Sequence, residues 1–193
     1  MGVTLSSVLV KSPSPRIQAQ ACKNIFELLE KNASPEDISQ PSMAPLSKTE
    51  IKTVAKFVIS EDSQGYLIGK HGVFTKQLED IRIYMHCGKE ERNKALRQRE
   101  AVCSLEGSLI NVEKATEMMV KRLANYYEAS EKDYSGVPLA LLIPYNLVTK
   151  IIGAGGSLIK QLVQKTGAQI RVNSSKNEPH VEEVVVTIDG TLE

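Results

Sequence analysis

Two stretches of the chain share one pattern of apolar, glycine and lysine positions, and this internal repeat constrains the fold more than any other feature. When Gly69 is aligned with Gly153, FVISEDSQGYLIGKHGVFTKQLED lies beside LLIPYNLVTKIIGAGGSLIKQLVQ, with these positions in register over more than twenty residues. A repeat of this length is one supersecondary unit. The sequence therefore predicts two copies of one small fold.

Each copy follows the same order of predicted elements. It opens with an aliphatic, β-branched run that is typical of a buried strand, at 53–60 in the first copy and at 137–145 in the second. A short apolar helix, two glycines three residues apart and a longer amphipathic helix come next, and Gly167 is expected to end the second long helix. Two strands with alternating apolar residues follow, and 108–130 adds an amphipathic helix to the first copy. The predicted class is α+β, with the order β-α-α-β-β-α and a three-stranded antiparallel sheet that has helices on one face.

The ends of the chain break the repeat. We predict a first module at 50–131 and a second module at 136–193 that lacks the final helix. Residues 1–33 read as a strand and a helix that resemble the end of such a module, and 34–49 read as a linker rich in Pro, Ser and Asn. One explanation is a fragment of a longer array. Our sharper hypothesis is that the N-terminal helix covers the second module, within the chain or by exchange between chains, because both surfaces are otherwise exposed and apolar.

Composition excludes several classes of function. The chain has 193 residues, 41% of them hydrophobic, and a net charge of +1, so any nucleic-acid binding depends on the local placement of charge. Three scattered cysteines indicate neither a disulfide framework nor a zinc site, and they favour an intracellular protein of the cytoplasm or nucleus. We expect no membrane partner, no cofactor and no metal. Because no side chains are spaced as a catalytic set, we expect no enzymatic activity.

The paired glycines place two helices at an angle, and this geometry suits a phosphate group. Glycine permits the tight turn, and the second helix presents its N–H groups and positive dipole end beside it. A dinucleotide fingerprint needs a third glycine where Leu158 stands, and neither copy has the Gly-Lys-Ser/Thr of a P-loop. Basic side chains are placed to add charge at Lys70 and Lys76 in the first copy and at Lys150 and Lys160 in the second.

At YLIGKHGVFTKQLED and VTKIIGAGGSLIKQLVQKTGAQIRV, the chain resembles the KH domain in its type I, eukaryotic arrangement, and the likeness extends over residues 50–193. The resemblance implies sequence-selective binding of single-stranded RNA, or of single-stranded DNA, by tandem modules. The two-glycine (GxxG) loop would hold the backbone, and bases would lie in an apolar groove. The implied loop residues are Gly69, Lys70, His71, Gly72, Gly153, Ala154, Gly155 and Gly156. The implied groove residues are Ile68, Ile83 and Met85 in the first copy and Val148, Ile152, Ala168 and Ile170 in the second, with Arg171 and its weaker counterpart His86 reading base edges.

The resemblance also implies a role in mRNA regulation or processing. Two departures from the family pattern leave an alternative open: the second loop lacks a basic residue, and the first copy lacks the usual Thr-Gly-Ala before its second strand. The alternative is a protein-interaction scaffold whose modules have partly lost RNA binding and pair with each other or with a protein partner. A dimer formed through the N-terminal helix is a further expected arrangement. The RNA motif and the relative orientation of the modules are not predicted.

Overall fold

The computed structural model describes residues 15–32, 53–89, 96–130, 139–173 and 182–189. Its helices are α1 (Pro15–Asn32), α2 (Glu61–Ile68), α3 (Val73–Asp80), α4 (Leu109–Ala129), α5 (Tyr145–Ile152) and α6 (Ser157–Thr166). Its strands are β1 (Thr53–Ser60), β2 (Tyr84–Gly88), β3 (Glu100–Gly107), β4 (Leu139–Pro144), β5 (Gln169–Asn173) and β6 (Glu183–Asp189). The predicted N-terminal strand and the predicted linker lie outside the described residues.

The six strands form a single antiparallel sheet in the order β2-β3-β1-β4-β6-β5. The sequence predicts two three-stranded sheets, and the structure joins these two groups edge to edge. The joint is the antiparallel pairing of β1 with β4, in which Phe57 lies opposite Leu141. On the neighbouring register position, Lys56 Nζ contacts Glu183 Oε1 on β6 at 3.0 Å. The joint buries two strand edges that separate modules would leave unpaired.

The side chains of the sheet alternate between a core and a face that carries none of the described helices, called here the face without helices. In β1, Ala55, Phe57 and Ile59 point into the core beneath the helices, while Val54 on the other face is 53% exposed. Strand β4 departs from this alternation, since Leu141, Leu142 and Ile143 are all buried. A continuous apolar run of this kind is typical of a central strand. The core runs through both halves of the sheet without interruption.

Helix α1 packs within the same chain on the half of the sheet formed by β4, β5 and β6. Its residues Ile25 and Ala21 are fully buried, and Gln18 Nε2 donates to the carbonyl oxygen of Ile188 on β6 at 3.0 Å. It also contacts α4, where Lys23 Nζ lies 2.9 Å from a carboxylate oxygen of Glu113. The structure therefore shows the cis arrangement of the helix. Exchange of α1 between chains stays a prediction.

The two long helices after the loops end differently. Helix α6 ends at Gly167, which has φ 71° and donates from its N–H to Val163 O, as the sequence predicts. Helix α3 ends in a Schellman motif: Arg82 N–H donates to Glu79 O at 2.8 Å and Ile83 N–H donates to Leu78 O at 2.9 Å. Arg82 takes the left-handed conformation there, with φ 56°. The turn is thus kept in the first copy without the glycine.

Candidate nucleic-acid interface

Two loops with one backbone conformation connect α2 to α3 and α5 to α6. Each loop is a single 3₁₀ turn, at Lys70–Gly72 and at Ala154–Gly156. Gly72 N–H donates to Gly69 O at 3.0 Å, and Gly156 N–H donates to Gly153 O at 3.2 Å. The repeat seen in the sequence is therefore also a repeat of loop geometry.

The first glycine of each loop has a conformation that other residues rarely adopt. Gly69 has φ 80° and ψ 163°, and Gly153 has φ 71° and ψ 175°. This region of backbone space is essentially restricted to glycine. A Cβ atom at Gly153 would also lie 2.6 Å from Leu158 Cγ, and one at Gly69 would lie 2.8 Å from Arg122 Nη2. The sharp change of direction between the helices depends on these two positions.

The tips of the loops are open to solvent. Lys70, His71, Ala154 and Gly155 are all exposed, and a Cβ atom at Gly155 would have no neighbour within 4 Å. The helices that follow begin at Val73 and at Ser157, and neither has a side-chain hydrogen bond at its N-cap. The first N–H of each helix donates to the loop carbonyl oxygen of Lys70 or Ala154, and the positive dipole end of the helix attracts anions. Each loop therefore offers an accessible position for a phosphate group, and Lys70 and His71 add a basic side chain and an imidazole in the first copy.

Arg122 of α4 supports the first loop from behind, and its role is not visible in the sequence. Its Nε donates to the carbonyl oxygens of Tyr66 and Leu67, at 2.9 and 3.1 Å, in the last turn of α2. Its guanidinium also lies over the rings of Tyr66 and Phe74, at 4.9 and 5.2 Å from their centroids. Arg122 thus ties α2, α3 and α4 together where the loop begins. Sequence analysis had no signal for it, because nothing in an amphipathic helix shows which neighbouring turn a polar residue reaches.

The predicted groove residues divide into two groups by burial. Four are partly exposed, and three lie in the core with at most 4% of their surface exposed. The partly exposed group is Ile68 and Met85 in the first copy and Ile152 and Ile170 in the second. The buried group is Ile83, Val148 and Ala168. One helix residue and one strand residue of the predicted groove therefore stay partly exposed in each copy.

The predicted polar site residues lie on two different faces. Lys76 and Lys160 are exposed on the helices that follow the loops, and Lys150 is half-buried in the last turn of α5. Arg171 and His86 are exposed on strands β5 and β2. Since the residues beside them pack toward the core, both side chains extend from the face of the sheet without helices. The structure therefore does not bring Arg171 or His86 together with the apolar residues beside the loops.

Two polar contacts join α2 to the end of β2 and the residue after it in the first copy. Gln64 Nε2 donates to the carbonyl oxygen of Cys87 at 3.1 Å, and Lys89 Nζ lies 3.6 Å from Glu61 Oε1. The corresponding helix position in the second copy is Val148, which is buried. The first copy therefore has polar contacts at the start of α2, where the second copy has a buried apolar residue.

The two loops lie toward opposite edges of the sheet. Helix α3 contacts the edge strand β2, and helix α6 contacts the edge strand β5. Adjacent strands are spaced about 4.8 Å apart, so the two edges of this sheet are separated by roughly 24 Å. The two loops therefore lie on separate surfaces.

The fold and the loops define a class: an α+β chain in which helices meet at exposed GxxG turns beside an antiparallel sheet. Residues 139–193 match the family model described as KH domain. The match covers 55 of the 193 residues and supports a KH domain in that part of the chain. The KH domain is a nucleic-acid-binding module and is not typically enzymatic, which indicates a single-stranded nucleic acid as the partner.

The described part of the chain has neither a cluster of metal-ligating side chains nor a helix suited to span a membrane. No group of three or more His, Cys, Asp or Glu side chains is arranged there to hold a metal ion. None of the described helices has the length and apolar character needed to cross a membrane.

Proposed function

We propose that this chain binds single-stranded RNA through two KH-like modules in tandem, each gripping the backbone with its GxxG loop. The observation that carries the proposal is the pair of exposed loops with one backbone conformation, each placed before an uncapped helix N-terminus. Phosphate oxygens would accept hydrogen bonds from those N–H groups. Bases would lie against Ile68 and Met85 in the first module and against Ile152 and Ile170 in the second.

The proposal includes a biological setting and further partners. An RNA-binding chain with these modules would act in mRNA regulation or processing, in the cytoplasm or the nucleus. Single-stranded DNA is the alternative ligand, because backbone recognition and apolar base contacts do not require the 2′-hydroxyl group. Other KH modules or protein partners, and pairing of two chains by exchange of α1, are further proposed interactions.

The two sites should cooperate only when one RNA strand is long enough to reach both of them. Both modules share one sheet, so the distance between their loops is fixed. A bound RNA strand reaches the second site only if its intervening nucleotides span that distance. We expect oligonucleotides that carry two binding segments to gain affinity once the spacer passes a threshold length. Affinity should then fall slowly as the spacer grows further, because the effective concentration falls.

The direct test places carboxylates in each loop. Lys70→Asp with His71→Asp changes the first loop, and Ala154→Asp with Gly155→Asp changes the second. The four positions are exposed, and aspartate tolerates the left-handed conformation of His71 and Gly155. Binding to a randomised single-stranded RNA pool is measured at fixed salt, with folding verified by circular dichroism. We expect each variant to lose at least about tenfold in affinity, because the new charges repel phosphates.

Matched controls separate local repulsion from a change of net charge. Ile110→Asp with Lys114→Asp, on the exposed surface of α4, changes the net charge by the same amount as the first loop variant. Lys114→Asp alone matches the second loop variant. The controls should bind within about threefold of the parent, because long-range charge is screened over about 10 Å. If both folded loop variants bind as tightly as the parent, the loops are only helix junctions and the scaffold function takes the place of RNA binding.

A further inference from the structure

Two cysteines of the first module face each other across neighbouring strands. Cys87 on β2 lies directly opposite Cys103 on β3, and their Sγ atoms are 2.9 Å apart. Residues directly opposed in an antiparallel pair have Cα atoms about 4.5 or 5.5 Å apart. Both values fall within the range of about 4.4 to 6.8 Å that disulfide bonds span. The backbone therefore needs little movement for the two sulfur atoms to bond.

The second module shows that the fold does not require cysteines at these two positions. There Val172 on β5 lies opposite Val186 on β6, at the corresponding places in the sheet. Burial is also matched, since Val172 and Cys87 are half-buried and Val186 and Cys103 are fully buried. Apolar packing alone satisfies this pair of positions. The first module thus carries a chemical capability that its structural counterpart lacks.

The two thiols have different surroundings. Cys87 is half-buried on the edge strand, and a hydrogen bond with the Cys103 thiol lowers the pKa of Cys87. The same hydrogen bond and burial raise the pKa of Cys103, which is fully buried on β3. The thiolate is the reactive form of cysteine, so Cys87 is the residue that meets an oxidant first. Cys103 is then in place as the resolving thiol.

We propose that Cys87 and Cys103 form a site of reversible oxidation that closes to an intramolecular disulfide when the protein meets a peroxide. The Cys87 sulfur attacks one peroxide oxygen and the O–O bond breaks. Cys87 becomes a sulfenic acid, and the other oxygen leaves as water. The Cys103 sulfur then attacks the Cys87 sulfur, the S–O bond breaks, and a second water leaves. Two thiols are oxidised and one peroxide is reduced, and an excess of a small dithiol reverses the reaction by exchange.

The experiment exposes the reduced full-length chain to graded hydrogen peroxide and counts free thiols under denaturing conditions. Peptide mapping without reductant identifies any bonded pair. The third cysteine, Cys22 on α1, is an internal reference, because it is almost fully buried and burial raises its pKa. Cys87→Val and Cys103→Val remove one partner each, with the residue that the second module uses at that position, so folding should be retained.

We expect the parent to lose two of its three thiols, with a mass decrease of two hydrogen atoms and a single Cys87–Cys103 cross-linked peptide. Cys103→Val should give a sulfenic acid at Cys87 that a dimedone probe captures, and Cys87→Val should react far more slowly. The proposal is overturned if the parent keeps three thiols at peroxide levels that oxidise free cysteine. It is equally overturned if the bonds formed join separate chains or include Cys22. None of these outcomes depends on RNA binding.

Discussion

The Nε atom of Arg122 donates a hydrogen bond to the carbonyl oxygen of Tyr66 at 2.9 Å, which links α4 to the last turn of α2 directly before the first GxxG loop. A second bond reaches Leu67 O at 3.1 Å. The last carbonyl groups of a helix have no partner within the helix. A cation placed there is also stabilised by the negative end of the helix dipole. The final helix of the first module therefore helps to hold the loop as well as covering the sheet.

We expect Arg122→Met to weaken both folding and RNA binding. Methionine keeps most of the aliphatic packing but leaves the two carbonyl oxygens without their charged donor, which should lower the free energy of unfolding by about 1.5–3 kcal/mol. RNA affinity should fall most for ligands of the first module. Urea unfolding and equilibrium binding measure the two effects.

The neighbouring residue on the same helix is a matched control for Arg122. Lys121→Met removes the same charge from an exposed position, whose contact with Glu117 is a surface ion pair. Such pairs contribute about 0–1 kcal/mol, so this variant should stay close to the parent in stability. Equal losses in the two variants would show that Arg122 has no special role at the loop.

The two glycines of the second loop should respond differently to alanine. Gly153→Ala places a residue in a glycine-only conformation and drives its Cβ against Leu158, which should cost about 2–4 kcal/mol of unfolding free energy. Gly155→Ala meets no neighbouring atom and has φ 57°, so about 1 kcal/mol is expected. Chemical denaturation of both variants measures the difference. A Gly153→Ala variant as stable as Gly155→Ala would contradict the strain assigned to the first glycine.

The contact of α1 with the second half of the sheet gives a prediction about local stability. Ile25 is a fully buried residue of α1, so Ile25→Ala should lower the free energy of unfolding by about 2–5 kcal/mol. Amide exchange should accelerate most in β6, α5 and α6, which α1 contacts. Lys31→Ala, exposed on the same helix, should change neither measurement. Faster exchange confined to α1 itself would contradict its role as a cover for that half of the sheet.

Local pattern predicted the elements well, because strand alternation, helical periodicity and turn glycines each depend on nearby residues. The bounds of β1 and the cap at Gly167 follow from such signals. The pairing of β1 with β4 could not be predicted, since an unpaired strand edge carries no mark of its partner. The uninterrupted apolar run of β4, with Leu142 buried on the face without helices, was the available hint. Arg82 shows the same limit, because its left-handed conformation is imposed by the turn that α3 and β2 require.

The candidate site shows a similar division between local and long-range information. Both GxxG loops were identified from their glycine spacing, and the structure gives them one conformation. The sequence could not show whether Ile83, Val148 and Ala168 are buried or line an exposed groove. Apolar residues at neighbouring positions on one face follow the same pattern in both cases. Strand alternation places Arg171 and His86 on the face of the sheet opposite the core. Alternation does not show on which face a ligand binds.

The reactivity of Cys87 should depend on pH through its neighbour. The Cys103 thiol hydrogen-bonds to the Cys87 thiolate and so lowers the pKa of Cys87 below that of an ordinary cysteine. Alkylation by iodoacetamide, which requires the thiolate, should therefore reach half of its maximal rate at a lower pH than alkylation of a free cysteine peptide. In Cys103→Val the donor is absent, so the pKa of Cys87 should rise and the rate profile should move to higher pH. Rates followed by peptide mass spectrometry, with Cys22 in the same digest as the slow reference, measure both profiles. Superimposable profiles for the parent and Cys103→Val would mean that the contact with the Cys103 thiol does not lower the pKa of Cys87.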